Sequence, residues 1–185
     1  MFARFFGRTE DLREPADALY REIVARARQP GLYRHLGVPD TLEGRLEMIM
    51  LHCLIVFRRL HREGESGQAL SQQVFDVFCT DMDRSLREIG VGDLGVPKRM
   101  KVIGKSFYGR ADVYGGALAA RDEAELAGAL QRNLFPDQED DSTAMQPLAR
   151  YAIAATDRLH DEPMSGILAG NLPMADPEPS DRVPS

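Results

Sequence analysis

The segment from Leu42 to Leu60 constrains the fold most, because it is apolar around almost its whole circumference. Residues at spacings of three and four line one helical face: Leu42, Leu46, Ile49, Cys53, Val56 and Leu60. Met48, Leu51, Leu54 and Ile55 fill the other side. A helix that is apolar on every side must be covered by other elements. Its strongly apolar stretch, residues 48–57, is much shorter than the roughly 20 residues that span a bilayer. The segment therefore predicts a central helix buried within a helical domain.

The rest of the chain repeats the helical period and offers nothing that resembles a strand. Apolar residues recur every three or four positions over 15–28, 67–89, 97–118, 126–134 and 144–160, with a short helical turn at 164–168. We expect helix starts at the capping pairs Asp40/Glu43 and Asp122/Glu125. The sequence predicts an all-α fold, a single compact domain of six to seven helices around the buried one.

Composition divides the chain into three parts. Residues 1–12 mix phenylalanine with arginine and predict a flexible start, with membrane or partner contact as an alternative. Residues 13–170 form the predicted helical domain. Residues 171–185 are rich in Pro, Asp, Glu and Ser, which predicts a disordered tail.

Net charge and cysteine usage restrict the partners and the compartment. The chain carries 23 basic and 29 acidic residues, a net charge of −6, so a general DNA-binding surface is not expected. Cys53 and Cys79 lack a CxxC partner, which favours reduced thiols. Arg4 and Arg8 interrupt the only early apolar stretch, so no signal peptide is indicated. We expect a cytoplasmic protein.

The Gly90–Gly95 segment matches the letters GxGxxG, but a helical pattern precedes it where a dinucleotide-binding loop needs a strand. We interpret Gly90 and Gly92 as an interhelical turn, with Gly90 as a left-handed helix cap and Pro97 opening the next helix. An anionic substrate at the following helix start is an alternative. The four histidines show no metal-binding spacing. We expect no metal, no cofactor and no catalytic residues.

A basic stripe follows this turn. Residues 97–110 hold five cations and no acid, and they include every lysine of the chain. Lys98, Lys101 and Lys105 fall within about 60° of one another on a helical wheel, with Tyr108 at the edge. The stripe fits either the solvated outside of a core helix or a docking surface for RNA phosphate, a lipid headgroup or an acidic protein. The candidate contact residues are Asp93, Lys98, Arg99, Lys101, Lys105, Tyr108 and Arg110.

Three successive segments carry a family resemblance: Leu86–Leu94 (LREIGVGDL), Pro97–Lys101 (PKRMK) and Ser106–Arg110 (SFYGR). With the preceding helix at 70–83, they make residues 30–135 resemble the ubiquinol–cytochrome c chaperone family. The resemblance implies a non-enzymatic assembly factor for respiratory complex III, similar to bacterial members that act at the inner membrane. It implies cytochrome b or its nascent chain as the client, and contact near the ribosomal tunnel exit as in mitochondrial relatives.

Two further functions stay open at this point. Because cytochrome b requires haem, His52 is a candidate ligand in a haem-binding or haem-delivery protein. A helical interaction module with another client would account equally well for the basic stripe.

Overall fold

The computed structural model describes residues 12–138 and 141–177; the start at 1–11, where the Phe/Arg segment lies, and residues 178–185 are outside the described residues. Within the described part there are eight α-helices and no strand, which confirms the all-α prediction. The helices are α1 Arg13–Ala27, α2 Pro30–His35, α3 Leu42–Leu60, α4 Glu65–Glu88, α5 Val96–Ala120, α6 Glu123–Leu134, α7 Gln146–Asp161 and α8 Met164–Leu168. Two 3₁₀ turns, His61–Glu63 and Ser142–Met145, precede α4 and α7.

Helix α3 is the centre of the domain, as its sequence predicts. Every side chain from Glu47 to Phe57 is buried, and α3 packs against α1, α4, α5, α6 and α7. Each large apolar side chain removed from water here contributes about 1.5–3 kcal/mol to folding. The surrounding helices are therefore held in place by one shared core.

The start of α3 differs by one residue from the predicted cap. The Thr41 hydroxyl accepts a hydrogen bond from the Gly44 amide at 3.1 Å, so Thr41 is the N-cap. Asp40 instead pairs with Arg45 at 2.7 Å. The second predicted cap is confirmed, because Asp122 accepts from the Glu125 amide at 2.9 Å.

The turn between α4 and α5 has the predicted backbone. Gly90 adopts φ +88°, a left-handed conformation that favours glycine. The Val91 amide donates to the Leu86 carbonyl at 3.0 Å and closes the end of α4. Pro97 lies in the first turn of α5. The GxGxxG segment is thus an interhelical turn.

The described part of the tail is irregular but packed, which corrects the predicted domain boundary at residue 170. Leu172 and Met174 are 0% and 5% exposed and belong to the core cluster. The Met174 carbonyl lies 3.5 Å from Arg26 Nη1, and Asp176 accepts a 3.1 Å hydrogen bond from Gln29. Apolar side chains between the prolines gain enough burial to hold this segment without helical hydrogen bonds.

Candidate functional site

Helix α5 presents the basic stripe to solvent. It buries Phe107, Tyr114 and Leu118, whereas Lys98, Lys101 and Lys105 are exposed on its outer side. Among the described residues, none of these three amines has an ion-pair or hydrogen-bond partner, and the same holds for the exposed Arg99 guanidinium. The positive charge of the stripe is therefore available to a binding partner.

Arg110 does not belong to this exposed stripe, which corrects its prediction as a surface contact. One of its terminal nitrogens lies 2.6 Å from Glu47 Oε2, and its Nε donates to the same carboxylate. The Arg110 and Glu47 side chains are 18% and 4% exposed. Arg110 therefore neutralises a buried acid of α3 and fixes α5 against it.

Asp93 is tied to the end of α4. Its carboxylate pairs with Arg87, which also pairs with Asp83 at 2.7 Å. Leu94, the next residue, is 98% exposed. The turn thus has one anchored acid, and an apolar side chain projects into solvent ahead of the lysines.

An aromatic cleft opens beside the stripe, between α3, α4 and α5. It has a volume of about 590 Å³, and its walls include Phe57, Phe75, Phe107 and Tyr108. The Phe75 and Phe107 rings lie 4.9 Å apart between centroids, and Phe75 and Tyr108 lie 5.8 Å apart. Tyr108 is 65% exposed, so it belongs to both the cleft and the outer surface.

The rim of the cleft is polar, and its α5 side is lined partly by small residues. Arg58, His61 and Gln72 border the opening, while Ala111 and Gly115 form part of the α5 side. A Cβ added at Gly115 would meet no atom within 4 Å. The small wall leaves room for an apolar chain segment to approach the aromatic rings.

Sequence reasoning did not identify this cleft. Phe75 and Phe107 follow the apolar spacing of core positions, and both do pack against the core. Their shared opening depends on how α3, α4 and α5 pack together, for which the periodicity of any one helix contains no signal.

His52, the candidate haem ligand, is 0% exposed and fully hydrogen-bonded. Its Nδ1 lies 2.7 Å from the Met48 carbonyl, and its Nε2 lies 2.8 Å from the Tyr151 hydroxyl. A carbonyl only accepts, so Nδ1 carries the hydrogen and Nε2 accepts from Tyr151. Burial lowers the pKa of His52 to about 4. Both ring nitrogens are engaged, so the geometry contradicts haem ligation by His52. No group of three or more metal-ligating side chains occurs within 12–138 and 141–177.

In the described ranges, every helix is too short or too polar to cross a bilayer.

The comparisons with known proteins agree with the resemblance read from the sequence. Residues 34–174 match the family model described as Ubiquinol-cytochrome C chaperone, which extends beyond the 30–135 resemblance at its C-terminal side. A solved structure, the "Crystal structure of the Cbp3 homolog from Brucella abortus", is similar with a TM-score of 0.79 and 41% identity. That similarity covers 95% of this chain and 97% of the solved one.

Two curated relatives are more distant. The chain is 24% identical over 133 residues to "Ubiquinol-cytochrome-c reductase complex assembly factor 1" of Xenopus laevis, covering 72% of this chain and 66% of that protein. It is 23% identical over 133 residues to the protein of the same name from Mus musculus, covering 72% of this chain and 45% of the mouse protein. The chain thus spans less than two thirds of the length of each of these relatives.

Proposed function

Since this chain belongs to the ubiquinol-cytochrome C chaperone family, we propose that it is a non-catalytic chaperone for assembly of ubiquinol–cytochrome c reductase (complex III). Its client in this proposal is newly made cytochrome b, held at the cytoplasmic face of the inner membrane. The two curated relatives are named as assembly factors of that complex. Ribosome contact during synthesis of the client is a secondary part of the proposal.

One observation carries the proposal most directly, namely an open aromatic cleft next to unpaired lysines. A new membrane protein exposes apolar segments that need temporary cover, and grooves between helices bind such segments through apolar anchors. The cleft of about 590 Å³ offers the rings of Phe57, Phe75, Phe107 and Tyr108 for this purpose. Polar loops of the client would be held by the lysines at its edge.

Lys101 and Tyr108 are the two α5 residues that we expect to contact the client most directly. Seven residues apart on α5, they occupy nearly the same angular position on the helix. If an apolar client segment lies in the cleft, a carboxylate next to that segment would lie near the Lys101 amine. This combination of an apolar cleft with a nearby cation supports the proposed client-binding role.

The alternatives from the sequence have weaker support. An enzyme with an anionic substrate at the Gly90–Lys98 turn would require convergent polar groups there. Asp93 is engaged by Arg87, and Leu94 points into solvent with 98% exposure. Haem delivery through His52 would require breaking both of its buried hydrogen bonds.

Affinity purification from the native membrane fraction tests the proposal, with cytochrome b in the eluate as the readout. We expect Lys98→Glu/Lys101→Glu and, separately, Tyr108→Ala to lower recovered cytochrome b by about tenfold, which corresponds to ~1.4 kcal/mol. The matched control is Arg34→Glu/Arg158→Glu, which changes the net charge equally at exposed positions on α2 and α7.

Thermal unfolding of each variant checks that the fold is retained. Absence of cytochrome b from the wild-type eluate would contradict the client assignment. Equal recovery with the α5 variants and the control would remove this surface from the proposal. Ribosome co-sedimentation of the same variants separates contact with the ribosome from contact with the finished client.

A further inference from the structure

A second groove lies on the opposite side of α5, against α6, and it is basic. It has a volume of about 310 Å³ and is lined by Lys105, Ser106, Gly109, Arg110, Val113, Ala129, Arg132 and Asn133. Three of these side chains are cations and none is an acid. In a protein with a net charge of −6, such a lining is locally unusual.

Two polar side chains of this groove are held by hydrogen bonds, whereas two of its cations have no ion-pair partner. Arg110 is held by Glu47, and its Nη1 donates to the Ser106 carbonyl at 3.3 Å. Asn133 donates to the Tyr114 hydroxyl at 2.7 Å. Lys105 and Arg132 are exposed, with no ion-pair partner in the described part of the chain. After Glu47 neutralises Arg110, the groove keeps an excess of two positive charges.

The start of α5 adds positive potential to the same side. Lys98 and Arg99 lie in its first turn, where no acidic residue is present. The N-terminal end of a helix carries a partial positive charge, so cations there are unfavourable for the helix itself. Their presence is better explained by an anionic partner than by stability of the fold.

Exposed apolar side chains accompany these cations. Leu94, Val102 and Val113 are 98%, 60% and 38% exposed. On a helical wheel, Val102 and Val113 lie about 40° and about 60° from Lys98. Asp112 is the one acid of α5 and lies two turns beyond Lys105. A surface that combines cations with apolar side chains is typical of proteins that lie in the membrane interface.

We propose that this side of α5 binds an anionic phospholipid surface, with one headgroup phosphate in the groove between Lys105, Arg132 and the Ser106 hydroxyl. Val102 and Val113 then lie at the acyl boundary, and Arg99 contacts a neighbouring headgroup. This site is separate from the aromatic cleft on the other side of α5, and it needs no client.

Flotation of the full chain with vesicles tests the proposal. The vesicles are phosphatidylcholine alone, or equal parts of phosphatidylcholine and phosphatidylglycerol. We expect binding only to the second kind. Lys105→Gln/Arg132→Gln should lower it roughly 25-fold, since each basic side chain near an anionic surface accounts for about fivefold. The charge-matched control Arg34→Gln/Arg158→Gln should lower it much less.

A second pair of variants separates the groove from general charge attraction. A Cβ at Gly109 or at Gly116 would meet no atom within 4 Å, but only Gly109 lines the groove. We expect Gly109→Leu to fill the groove and reduce binding to phosphatidylglycerol vesicles at least fivefold, whereas Gly116→Leu leaves it unchanged. Circular dichroism confirms that both variants remain helical.

The proposal is overturned if phosphatidylglycerol vesicles are not bound, or if Lys105→Gln/Arg132→Gln and Gly109→Leu bind them like the wild type. An NMR titration with glycerol 3-phosphate tests whether the groove binds a soluble phosphate compound instead of a lipid headgroup. Binding of glycerol 3-phosphate at the groove without vesicle binding would overturn the membrane assignment. Because the assays contain no cytochrome b, their outcome is independent of the client proposal.

Discussion

The Glu47 carboxylate lies 2.6 Å from a terminal nitrogen of Arg110, sixty-three residues away in the chain. The other Glu47 oxygen accepts from the Tyr114 hydroxyl at 2.6 Å, and that hydroxyl accepts from Asn133. One buried acid on α3 thus joins α5 and α6. Both proposed surfaces lie on the helix that this network fixes in place.

Removing one partner of this pair should be costly. We expect Arg110→Met to lower the free energy of unfolding by about 3–5 kcal/mol, because it leaves the Glu47 charge buried without a partner. The double variant Glu47→Met/Arg110→Met should recover a large part of that loss. Urea denaturation at neutral pH measures both changes.

The matched control is Arg150→Met, which breaks the exposed pair with Glu123. The Arg150 and Glu123 side chains are 54% and 36% exposed, so its loss should change stability by less than about 1 kcal/mol. Similar effects of Arg110→Met and Arg150→Met would show that the buried pair has no special role.

His52 makes stability depend on pH. Burial lowers its pKa in the folded state to about 4, below the ordinary value of 6.5. Below pH 6.5 the unfolded chain binds a proton at His52 that the folded chain does not. The stabilisation is complete above that pH and is lost as the pH falls toward 4. Between pH 7 and pH 5 the loss amounts to about 2 kcal/mol.

Comparison of variants isolates this contribution from that of other titrating groups. Urea unfolding at pH 7 and pH 5 should show a smaller difference for His52→Gln than for the wild type. NMR titration of the His52 ring provides a second measurement. A ring pKa near 6.5 in the folded protein would contradict the prediction.

Helical periodicity was sufficient to predict the central helix and the outward direction of the three lysines. The same periodicity also indicated that Arg110 does not lie on the exposed face with the lysines. This residue lies about 120° from Lys98 on the wheel and about 60° from Phe107, which is close to the buried side. Its partner on α3 could not be predicted, because a contact over sixty-three residues depends on how two helices pack.

The cap at α3 and the described part of the tail show two other limits. Asp40 and Thr41 are both good capping residues, and the choice between them depends on one residue of register. Proline-rich composition predicted a disordered tail after residue 170. That composition contained no indication that Leu172 and Met174 join the hydrophobic core.

Two adjacent aromatic residues should have contrasting effects on stability. Phe107 is 3% exposed and its ring lies 4.9 Å from Phe75 and 5.4 Å from Phe78, between centroids. We expect Phe107→Ala to destabilise the fold by about 3–5 kcal/mol. Tyr108→Ala should cost less than about 1 kcal/mol, because Tyr108 is 65% exposed. Chemical denaturation distinguishes them, and a small effect at Phe107 would make it a surface anchor instead.

The glycines of α5 should respond to substitution according to the space around them. A Cβ at Gly104 would meet no atom within 4 Å, whereas a Cβ at Gly67 of α4 would lie 1.8 Å from the Leu60 carbonyl oxygen. Alanine restricts the unfolded chain and favours the helix, so Gly104→Ala should raise the free energy of unfolding by about 0.5–1 kcal/mol. Gly67→Ala should lower it, because the backbone of the preceding turn must move. Thermal and urea unfolding of the two variants give the sign directly, and a loss of stability in Gly104→Ala would contradict the open surroundings of this helix face.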